Sequence, residues 1–228
     1  MRSVVLFSGG LDSTTVLAWA VARGDDVFPL TVVYGQRHAV EAEKATHILE
    51  RYGLAARARV ISLDLSFLHS SSLTNRDMAV PCAGTGAPIP TTYVPARNLL
   101  FLSLAAAYAE DIGASRILIG VNAIDYSGYP DCRPVFIEQF NRTVAAGTAA
   151  GSAGREILVE APLISLTKGE IIRLGCKLGV DYSMTHSCYD PDEEGRACGR
   201  CDSCRLRLKG FAEAGLEDPV PYTSRPVT

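Results

Sequence analysis

The sequence LFSGGLDSTT, which follows the first strand-like run of the chain, combines glycines, hydroxyl side chains and one carboxylate. Gly9 and Gly10 can adopt the positive-φ backbone that directs consecutive N–H groups toward one anion, and the helix after them adds the positive end of its dipole. Ser8 and Ser13 can donate further hydrogen bonds, but the lysine of Walker sites is missing. Asp12 would repel a bare phosphate. We therefore expect either that it caps the helix or that a divalent cation bridges it to a nucleotide.

Four cysteines close to the C-terminal end have the spacing of a metal site. Cys188, Cys198, Cys201 and Cys204 follow the pattern C-x9-C-x2-C-x2-C, in a chain with an odd total of seven cysteines. Four thiolates suit a tetrahedral zinc ion, and a closed shell of four cysteines is usually structural. An iron–sulfur cluster is the alternative, because C-x2-C-x2-C also occurs in ferredoxin-type sites. We predict one structural zinc ion per chain.

Two basic residues occupy the predicted starts of helices. In SLTKGEII, Thr167 and Glu170 form a capping box, which places Lys168 at the first helical position after the fifth strand-like run. In TYVPARN, Arg97 lies at another helix start, where its guanidinium can bind a carboxylate or a phosphate through two hydrogen bonds. A solvated lysine is the alternative for Lys168.

A polar loop, GVNAIDYSGYPDCRPVF, follows the fourth strand-like run. Its Tyr126 and Tyr129 can stack on a flat heterocycle. A carboxylate such as Asp125 or Asp131 can accept both N–H donors of a guanine-like edge. A polar surface loop with tyrosines packed beneath it fits the composition equally well.

The elements that must position these residues alternate between strands and helices. Apolar strand-like runs cover residues 3–7, 27–34, 58–63, 116–121 and 156–161, and helical patterns cover residues 13–23, 39–52, 98–112 and 134–146. Continuous apolar strands in βαβ repetition predict an α/β fold with a doubly wound, mainly parallel, five-stranded sheet of Rossmann-like type. Ligands of such sheets bind beyond the carboxyl ends of the strands. Tyr34 and Gln36 lie at the carboxyl end of the second strand-like run, where we expect an adenine to bind nearby.

Composition and pattern narrow the class of protein further. The chain has 228 residues, 47% of them apolar, and a net charge of −3, which disfavours a protein that mainly binds long nucleic acids. Its longest apolar segment is too short to span a bilayer, so we expect no membrane partner and a cytoplasmic protein. The strand–helix alternation ends near residue 185. We predict an α/β domain over residues 1–185 and, packed on it, a four-cysteine lobe with an extended tail over residues 186–228.

The motifs in their order resemble a known family. S-G-G-x-D-S after the first strand resembles the pyrophosphate-binding loop of ATP pyrophosphatases, the PP-loop superfamily. Together with YGQRH, TYVPARN, the loop after the fourth strand, LTKGEIIRLG and SCY…CGRCDSCRLR, it resembles the 7-cyano-7-deazaguanine synthases of queuosine biosynthesis. The resemblance implies a fold of the adenine nucleotide alpha hydrolase type. It also implies an ATP-dependent ligase that converts 7-carboxy-7-deazaguanine and ammonia to the nitrile through adenylated acid and amide intermediates.

The resemblance carries roles over to individual residues. Asp12, Lys168 and Arg97 would be catalytic, with Mg²⁺ bridging Asp12 to ATP and Lys168 countering phosphate charge. The ATP site would comprise Phe7, Ser8, Gly9, Gly10, Leu11, Asp12, Ser13, Thr14, Tyr34, Gln36 and Lys168. The substrate site would comprise Arg97, Asp125, Tyr126, Tyr129 and Asp131. The partners would be small molecules, and the family resemblance favours a homodimer.

Two other functions stay open on the residues alone. A PP-loop enzyme that thiolates tRNA would share the first motif, and Cys132 could then carry sulfur. The acidic net charge and the lack of a clear catalytic cysteine pair argue against it. A non-catalytic zinc-ribbon module would use residues 200–209 as its contact face. Dependence on ATP separates that module from both enzymes, and iron would favour the thiolating enzyme.

Overall fold

The protein, seen in a computed structural model that describes residues 1–35, 40–82, 89–122 and 128–223, is built around one parallel sheet. Its strands are β1 (Arg2–Leu6), β2 (Asp26–Val33), β3 (Arg59–Ser62), β4 (Arg116–Leu118) and β5 (Leu158–Glu160). They lie in the order β3-β2-β1-β4-β5, and every strand pairing is parallel. The predicted doubly wound, five-stranded parallel sheet is confirmed.

The helices follow the predicted alternation. They are α1 (Leu11–Ala22), α2 (Val40–Arg51), α3 (Arg97–Asp111), α4 (Pro134–Gly147), α5 (Ala149–Ser152), α6 (Lys168–Lys177) and α7 (Asp202–Ala214). Short 3₁₀ turns cover Ala55–Arg57, Pro130–Cys132 and Tyr182–Met184. No helix within the described ranges is long and apolar enough to cross a membrane.

Both faces of the sheet are covered by apolar helix surfaces. Val4 and Val5 of β1 are fully buried, and because successive strand residues point to opposite faces, they belong to two different cores. The core on the Val5 side is completed by α1, α2, α6 and α7, and the core on the Val4 side by α3 and α4. Burial on both faces explains why the strands read as continuous apolar runs.

The C-terminal residues pack against the helices of the sheet domain. α7 lies along α6, and the guanidinium of Arg207 in α7 binds the carboxylate of Asp218 through two bonds of 2.8 and 3.0 Å. Both side chains are almost fully buried. Beyond Asp218, the extended segment pairs with Ala197: the N–H of Ala197 donates to Pro221, and the N–H of Thr223 donates to Ala197. The last described part of the predicted tail is therefore anchored beside the cysteines.

Candidate active site

A cavity of about 290 Å³ lies at the carboxyl ends of the strands. It opens where β1 and β4 are neighbours, although α1 and α4, the helices that follow them, pack on opposite faces of the sheet. Such a switch point is where open parallel sheets bind ligands. The wall of the cavity includes residues from the loops after several strands: Ser8, Gly10, Asp12, Ser13, Tyr34, Arg97, Gly120, Tyr129, His186, Cys188 and Tyr189.

Residues 8–13, called the phosphate loop from here on, turn sharply from β1 into α1. Gly9 has a φ of 77°, which glycine adopts without strain, and a Cβ at this position would lie 3.1 Å from the backbone of Ala45. Gly10 is the N-cap residue, and the first bond of α1 runs from the N–H of Thr14 to its carbonyl, at 3.0 Å. The N–H groups just before Thr14 have no carbonyl partner within the helix, so they can donate hydrogen bonds to an anion at the helix N-terminus.

The hydroxyls of the phosphate loop bind one another and the backbone. The Oγ atoms of Ser8 and Ser13 lie 3.2 Å apart, and Ser13 also accepts the N–H of Ser8 at 3.2 Å. Both side chains therefore lie together beside the start of α1, where the sequence predicts an anion. Thr14 lies beneath the loop: its hydroxyl is buried and has no hydrogen-bond partner among the described residues.

The carboxylate of Asp12 forms an ion pair with Lys168. The ammonium nitrogen lies 2.9 Å from Oδ1 and 2.7 Å from Oδ2, and the amide of Asn122 donates to Oδ2 at 3.4 Å. Asp12 is in the first turn of α1, whereas Gly10 occupies the cap position. The alternative that Asp12 caps the helix is therefore wrong. The alternative of a solvated Lys168 is wrong as well, because this residue is only 8% exposed.

Lys168 is the first residue of α6, which is the position that the capping box predicts. Thr167 is the N-cap of α6, its hydroxyl accepts the N–H of Glu170, and the carboxylate of Glu170 accepts the N–H of Thr167. α6 follows β5, so its first residue reaches the same edge of the sheet as α1. Gly120, after β4, approaches the phosphate loop closely, since a Cβ there would lie 3.2 Å from the backbone of Asp12. The predicted strand over residues 116–121 ends earlier, as β4 at Leu118, although the N–H of Ile119 still donates to the carbonyl of Glu160.

Arg97 marks a second positive region of the cavity. It is the first residue of α3, and Nη1 donates to the hydroxyl of Tyr34 at 3.1 Å. Burial alone would lower the pKa of the guanidinium, but the phenol groups of Tyr34 and Tyr189 outweigh it and raise that pKa above its ordinary value. Ala96, the N-cap, has a φ of 54°, an uncommon backbone for alanine, and its N–H donates to the hydroxyl of Tyr93. The protein thus maintains a strained turn that aims Arg97 toward the cavity.

Tyr129 and Asp131 have different surroundings. Tyr129 lines the cavity, donates to or accepts from Thr92 at 2.8 Å, and stacks against Tyr93 with ring centroids 5.9 Å apart. Asp131 is buried, and its Oδ2 accepts the N–H of Asn98 at 2.8 Å at the start of α3. A carboxylate in that position stabilises the helix N-terminus. Its predicted contact with substrate stays a prediction that this geometry does not favour.

Three of the predicted site residues lie outside the described residues: Gln36, Asp125 and Tyr126. Phe7 and Leu11, which the family resemblance assigns to the nucleotide site, line the cavity.

The four predicted metal ligands converge. Cys188, Cys198, Cys201 and Cys204 are buried, and their sulfur atoms all lie within 4.8 Å of one another. Hydrogen bonds from the thiols of Cys188 and Cys204 keep the pKa of Cys201 well below its usual range. The N–H groups of Asp190 and Cys198 donate to the sulfur of Cys188. The donor set thus fits one metal ion.

The cysteine cluster also forms part of the cavity wall, which the sequence analysis did not predict. The N–H of His186 donates to the carbonyl of Gly9 at 3.1 Å, and its Nε2 lies 3.2 Å from the carbonyl of Cys188. His186 therefore connects the phosphate loop to Cys188, a predicted metal ligand. The spacing between His186 and Cys188 was the only signal in the sequence, and it did not reveal that the segment crosses Gly9.

Comparisons with known proteins agree with this geometry. The model of the family "Queuosine biosynthesis protein QueC" matches residues 2–215. A 7-cyano-7-deazaguanine synthase of Myxococcus xanthus (strain DK1622) is 57% identical over 226 residues, covering 97% of each chain. One of Geotalea daltonii (strain DSM 22248 / JCM 15807 / FRC-32) is 56% identical over 225 residues, covering 98% of this chain and 97% of its own.

Among solved structures, the NMN synthetase from Francisella tularensis shares the fold alone. It has a TM-score of 0.51 and 16% sequence identity, covering 94% of this chain and 77% of that one. The family match spans the phosphate loop, the Arg97 region and all four cysteines. The chain therefore belongs to the QueC family of queuosine biosynthesis proteins.

Proposed function

We propose that this chain catalyses the reaction for which its curated relatives are named, the synthesis of 7-cyano-7-deazaguanine, as an ATP-dependent ligase of queuosine biosynthesis. The substrates would be 7-carboxy-7-deazaguanine, ammonia and ATP. One observation carries this proposal: the phosphate loop and Arg97, two regions suited to anions, line one cavity. A nucleotide and an anionic base can thus meet there.

Two activations would account for the loss of both carboxylate oxygens. In the first, a carboxylate oxygen attacks the α-phosphorus of ATP and pyrophosphate leaves, after which ammonia displaces AMP to give the amide. In the second, the amide oxygen attacks another ATP; AMP and a proton then leave, and the nitrile forms. Each AMP carries away one oxygen of the original carboxylate. Positioning and charge stabilisation should supply most of the catalysis.

The phosphate loop would bind the pyrophosphate that leaves in each activation. Its N–H groups and the hydroxyls of Ser8 and Ser13 can donate to phosphate oxygens, while the nearby ammonium of Lys168 counters the charge that develops on the leaving group. A Mg²⁺ ion would neutralise further phosphate charge, and the carboxylate of Asp12 is the hard oxygen ligand that could hold it. Lys168 and Asn122 keep that carboxylate oriented.

Arg97 would bind the base near its carboxylate. Its planar guanidinium can donate two parallel hydrogen bonds to a carboxylate, and Tyr34 fixes the direction of the fork. Tyr129 offers an aromatic surface in the same cavity on which a deazaguanine ring can stack. Asp125 and Tyr126 are proposed as further contacts from the loop after β4.

The cysteine cluster would hold zinc. Ligands of one tetrahedral zinc with Zn–S bonds of about 2.3 Å lie about 3.8 Å apart. The sulfurs of Cys198 and Cys204 are 4.0 Å apart. The cysteines of a four-iron cluster bind different irons and must spread farther. All four positions of the zinc are then filled by protein, so its contribution is to structure.

The proposal extends to the domains, the assembly and the location of the protein. Residues 1–185 and 186–228 would form an α/β domain and a zinc lobe that packs on it, and two chains would form a homodimer in the cytoplasm. The net charge of −3 supports small-molecule partners rather than nucleic acid. Membership of the QueC family argues against the tRNA-thiolating enzyme and the non-catalytic zinc ribbon.

Mass spectrometry of the reaction mixture tests the proposed function. Purified zinc-loaded protein would be incubated with 7-carboxy-7-deazaguanine, ¹⁵N-ammonium, Mg²⁺ and ATP, with a reaction lacking ATP as control. We expect the carboxylate to be replaced by a nitrile that contains one ¹⁵N. A base that stays unchanged while AMP accumulates would contradict the substrate, and a mixture without AMP would contradict the ligase itself.

A further inference from the structure

We propose that Gly210, in the C-terminal helix α7, is a positioning residue for Lys168: its missing side chain provides the space through which the lysine reaches Asp12. The inference rests on the proposed function, because it concerns the ion pair at the phosphate loop.

The space beside Gly210 is filled by the base of the lysine side chain. A Cβ built on Gly210 would lie 2.4 Å from Cγ and 2.9 Å from Cβ of Lys168, and 3.0 Å from Cδ1 of Ile172. Non-bonded carbon atoms pack at about 3.5–4.0 Å. Cβ and Cγ are next to the backbone, so the lysine cannot yield by moving only its flexible end. A methyl group at position 210 must change χ1 of Lys168 or separate the two helices.

A rotation of χ1 of Lys168 would break its contact with Asp12. Lys168 is buried, and its ammonium bonds to both carboxylate oxygens of Asp12 at 2.7 and 2.9 Å. Staggered wells of χ1 differ by about 120°, and one of the three is disfavoured in helices. A different well would carry the ammonium away from the carboxylate. The charge that should face the leaving pyrophosphate would then be misplaced.

Space, rather than backbone conformation, requires glycine at this position. Gly210 is inside α7 and has no positive φ, so alanine could adopt the same backbone conformation. Alanine also has a higher helix propensity than glycine. The same crossing contains Gly169, where an added Cβ would lie 2.8 Å from Cβ of Glu213. Glycines on both helices therefore allow α6 and α7 to approach each other closely beside Cβ and Cγ of Lys168.

The position of α7 is fixed independently of Lys168. The helix begins after its N-cap residue Cys201 and carries Cys204 in its first turn, while the buried Arg207–Asp218 pair anchors its middle. Gly210 lies about one turn beyond Arg207. The helix that starts at the cysteine cluster thus provides a fixed surface against which Lys168 is aligned.

The test compares Gly210→Ala with Gly147→Ala. Gly147 is the last residue of α4, and a Cβ there would meet nothing within 4 Å, so it controls for a methyl group added to a helical glycine without a steric contact. For Gly210→Ala we expect kcat to fall at least about tenfold while KM for the base substrate stays within about twofold. Gly147→Ala should leave both unchanged. A kcat of Gly210→Ala equal to that of the control would overturn the proposal.

A second measurement does not depend on the reaction. Acetylation of lysines, followed residue by residue with mass spectrometry, should modify Lys168 at least about tenfold faster in Gly210→Ala than in the wild type or in Gly147→Ala. Unchanged protection of Lys168 would overturn the proposal, even if the protein forms no nitrile. Failure of the proposed function alone would instead abolish nitrile formation in the wild type and leave the difference in labelling intact.

A double variant completes the test. Lys168→Gly removes Cβ and Cγ of Lys168, the two nearest of the three atoms that the new methyl group would meet, and leaves only the movable side-chain end of Ile172. Gly210→Ala should therefore have no further effect on kcat when Lys168 is glycine. If Gly210→Ala does not fold, adding Lys168→Gly should restore folding. A double variant that is slower than Lys168→Gly, or that stays unfolded, would overturn the proposal.

Discussion

The ammonium group of Lys168 lies 2.7 Å from one carboxylate oxygen of Asp12 and 2.9 Å from the other, although the two residues are 156 positions apart in the chain. Asp12 belongs to the helix after the first strand and Lys168 to the helix after the fifth. The pair therefore connects the helix after the central strand of the sheet with the helix after an edge strand. The pair also provides two opposite charges for a nucleotide and its cation. The phosphates can bind the ammonium of Lys168, and the cation can bind the carboxylate of Asp12.

Replacing Asp12 by asparagine should remove turnover and preserve the fold. The amide keeps the shape and one oxygen, but it lacks the charge that a Mg²⁺ bridge to ATP requires. We expect AMP formation to fall by about 100- to 1000-fold, the range typical of losing one electrostatic group from an active site. Chromatography of the nucleotides would measure it, with circular dichroism to verify folding.

Asp202→Asn is the matched control, since Asp202 also lies in the first turn of a helix. It should turn over ATP at the wild-type rate. Normal AMP formation by Asp12→Asn would contradict the cation bridge.

Arg97→Ala should weaken binding of the base and leave that of ATP unchanged. A hydrogen bond to a charged group contributes about 1.5–3 kcal/mol. We therefore expect KM for 7-carboxy-7-deazaguanine to rise about 10- to 100-fold, with KM for ATP within about twofold. Arg97→Lys should restore only part of this loss, because an ammonium cannot form the two parallel bonds. Steady-state kinetics with each substrate varied would measure both constants. A rise confined to KM for ATP would place Arg97 in the nucleotide site instead.

Removing the metal should loosen the phosphate loop as well as the cysteine cluster. In Cys201→Ser we expect less than one bound zinc per chain and a Tm lower by about 10 °C, because the metal contributes directly to folding. Since His186 connects Gly9 to Cys188, ATP affinity at a temperature below both transitions should also fall, by about tenfold.

Metal analysis, calorimetry and nucleotide titration would be compared with Cys176→Ser, which replaces an exposed cysteine outside the cluster. That control should resemble the wild type in all three. A zinc-free Cys201→Ser protein with unchanged Tm would show that the metal is not structural.

The buried pair of Arg207 and Asp218 should be among the strongest single contributions of the C-terminal residues to stability. Asp218→Asn leaves the guanidinium of Arg207 buried without its counter-charge, which costs about 3–5 kcal/mol. This corresponds to a decrease in Tm on the order of 10 °C. Glu138→Gln breaks the exposed pair with Arg142 and should change Tm by less than about 3 °C, since exposed pairs contribute about 0–1 kcal/mol. Equal shifts in the two variants would contradict the assigned role of burial.

The elements of the fold could be predicted because their signals are local. Apolar runs such as residues 116–121 indicate buried parallel strands, and the capping box around Lys168 gives the start of α6. Boundaries differ by a few residues where tertiary contacts intervene. The predicted strand over residues 116–121, for example, ends as β4 at Leu118, and Gly120 beyond it passes close to the backbone of Asp12.

Contacts between distant segments could not be predicted in this way. Asp131 has the residue type of a substrate ligand, yet its carboxylate binds the start of α3, which no pattern near Asp131 indicates. The same holds for His186 against Gly9 and for Gly210 against Lys168, because both depend on how helices and loops pack in three dimensions. The family resemblance could assign roles only to residues that lie within a matching motif.

The destination of the carboxylate oxygens tests the central claim most directly. 7-Carboxy-7-deazaguanine with both carboxylate oxygens replaced by ¹⁸O would be converted by the zinc-loaded protein with Mg²⁺, ATP and ammonium, and the nucleotides would be analysed by mass spectrometry. If each activation transfers AMP to a substrate oxygen, AMP should contain one ¹⁸O per molecule, with about two AMP formed per nitrile and no label in phosphate or water. Label in inorganic phosphate, with ADP as the nucleotide product, would contradict adenylation at the phosphate loop.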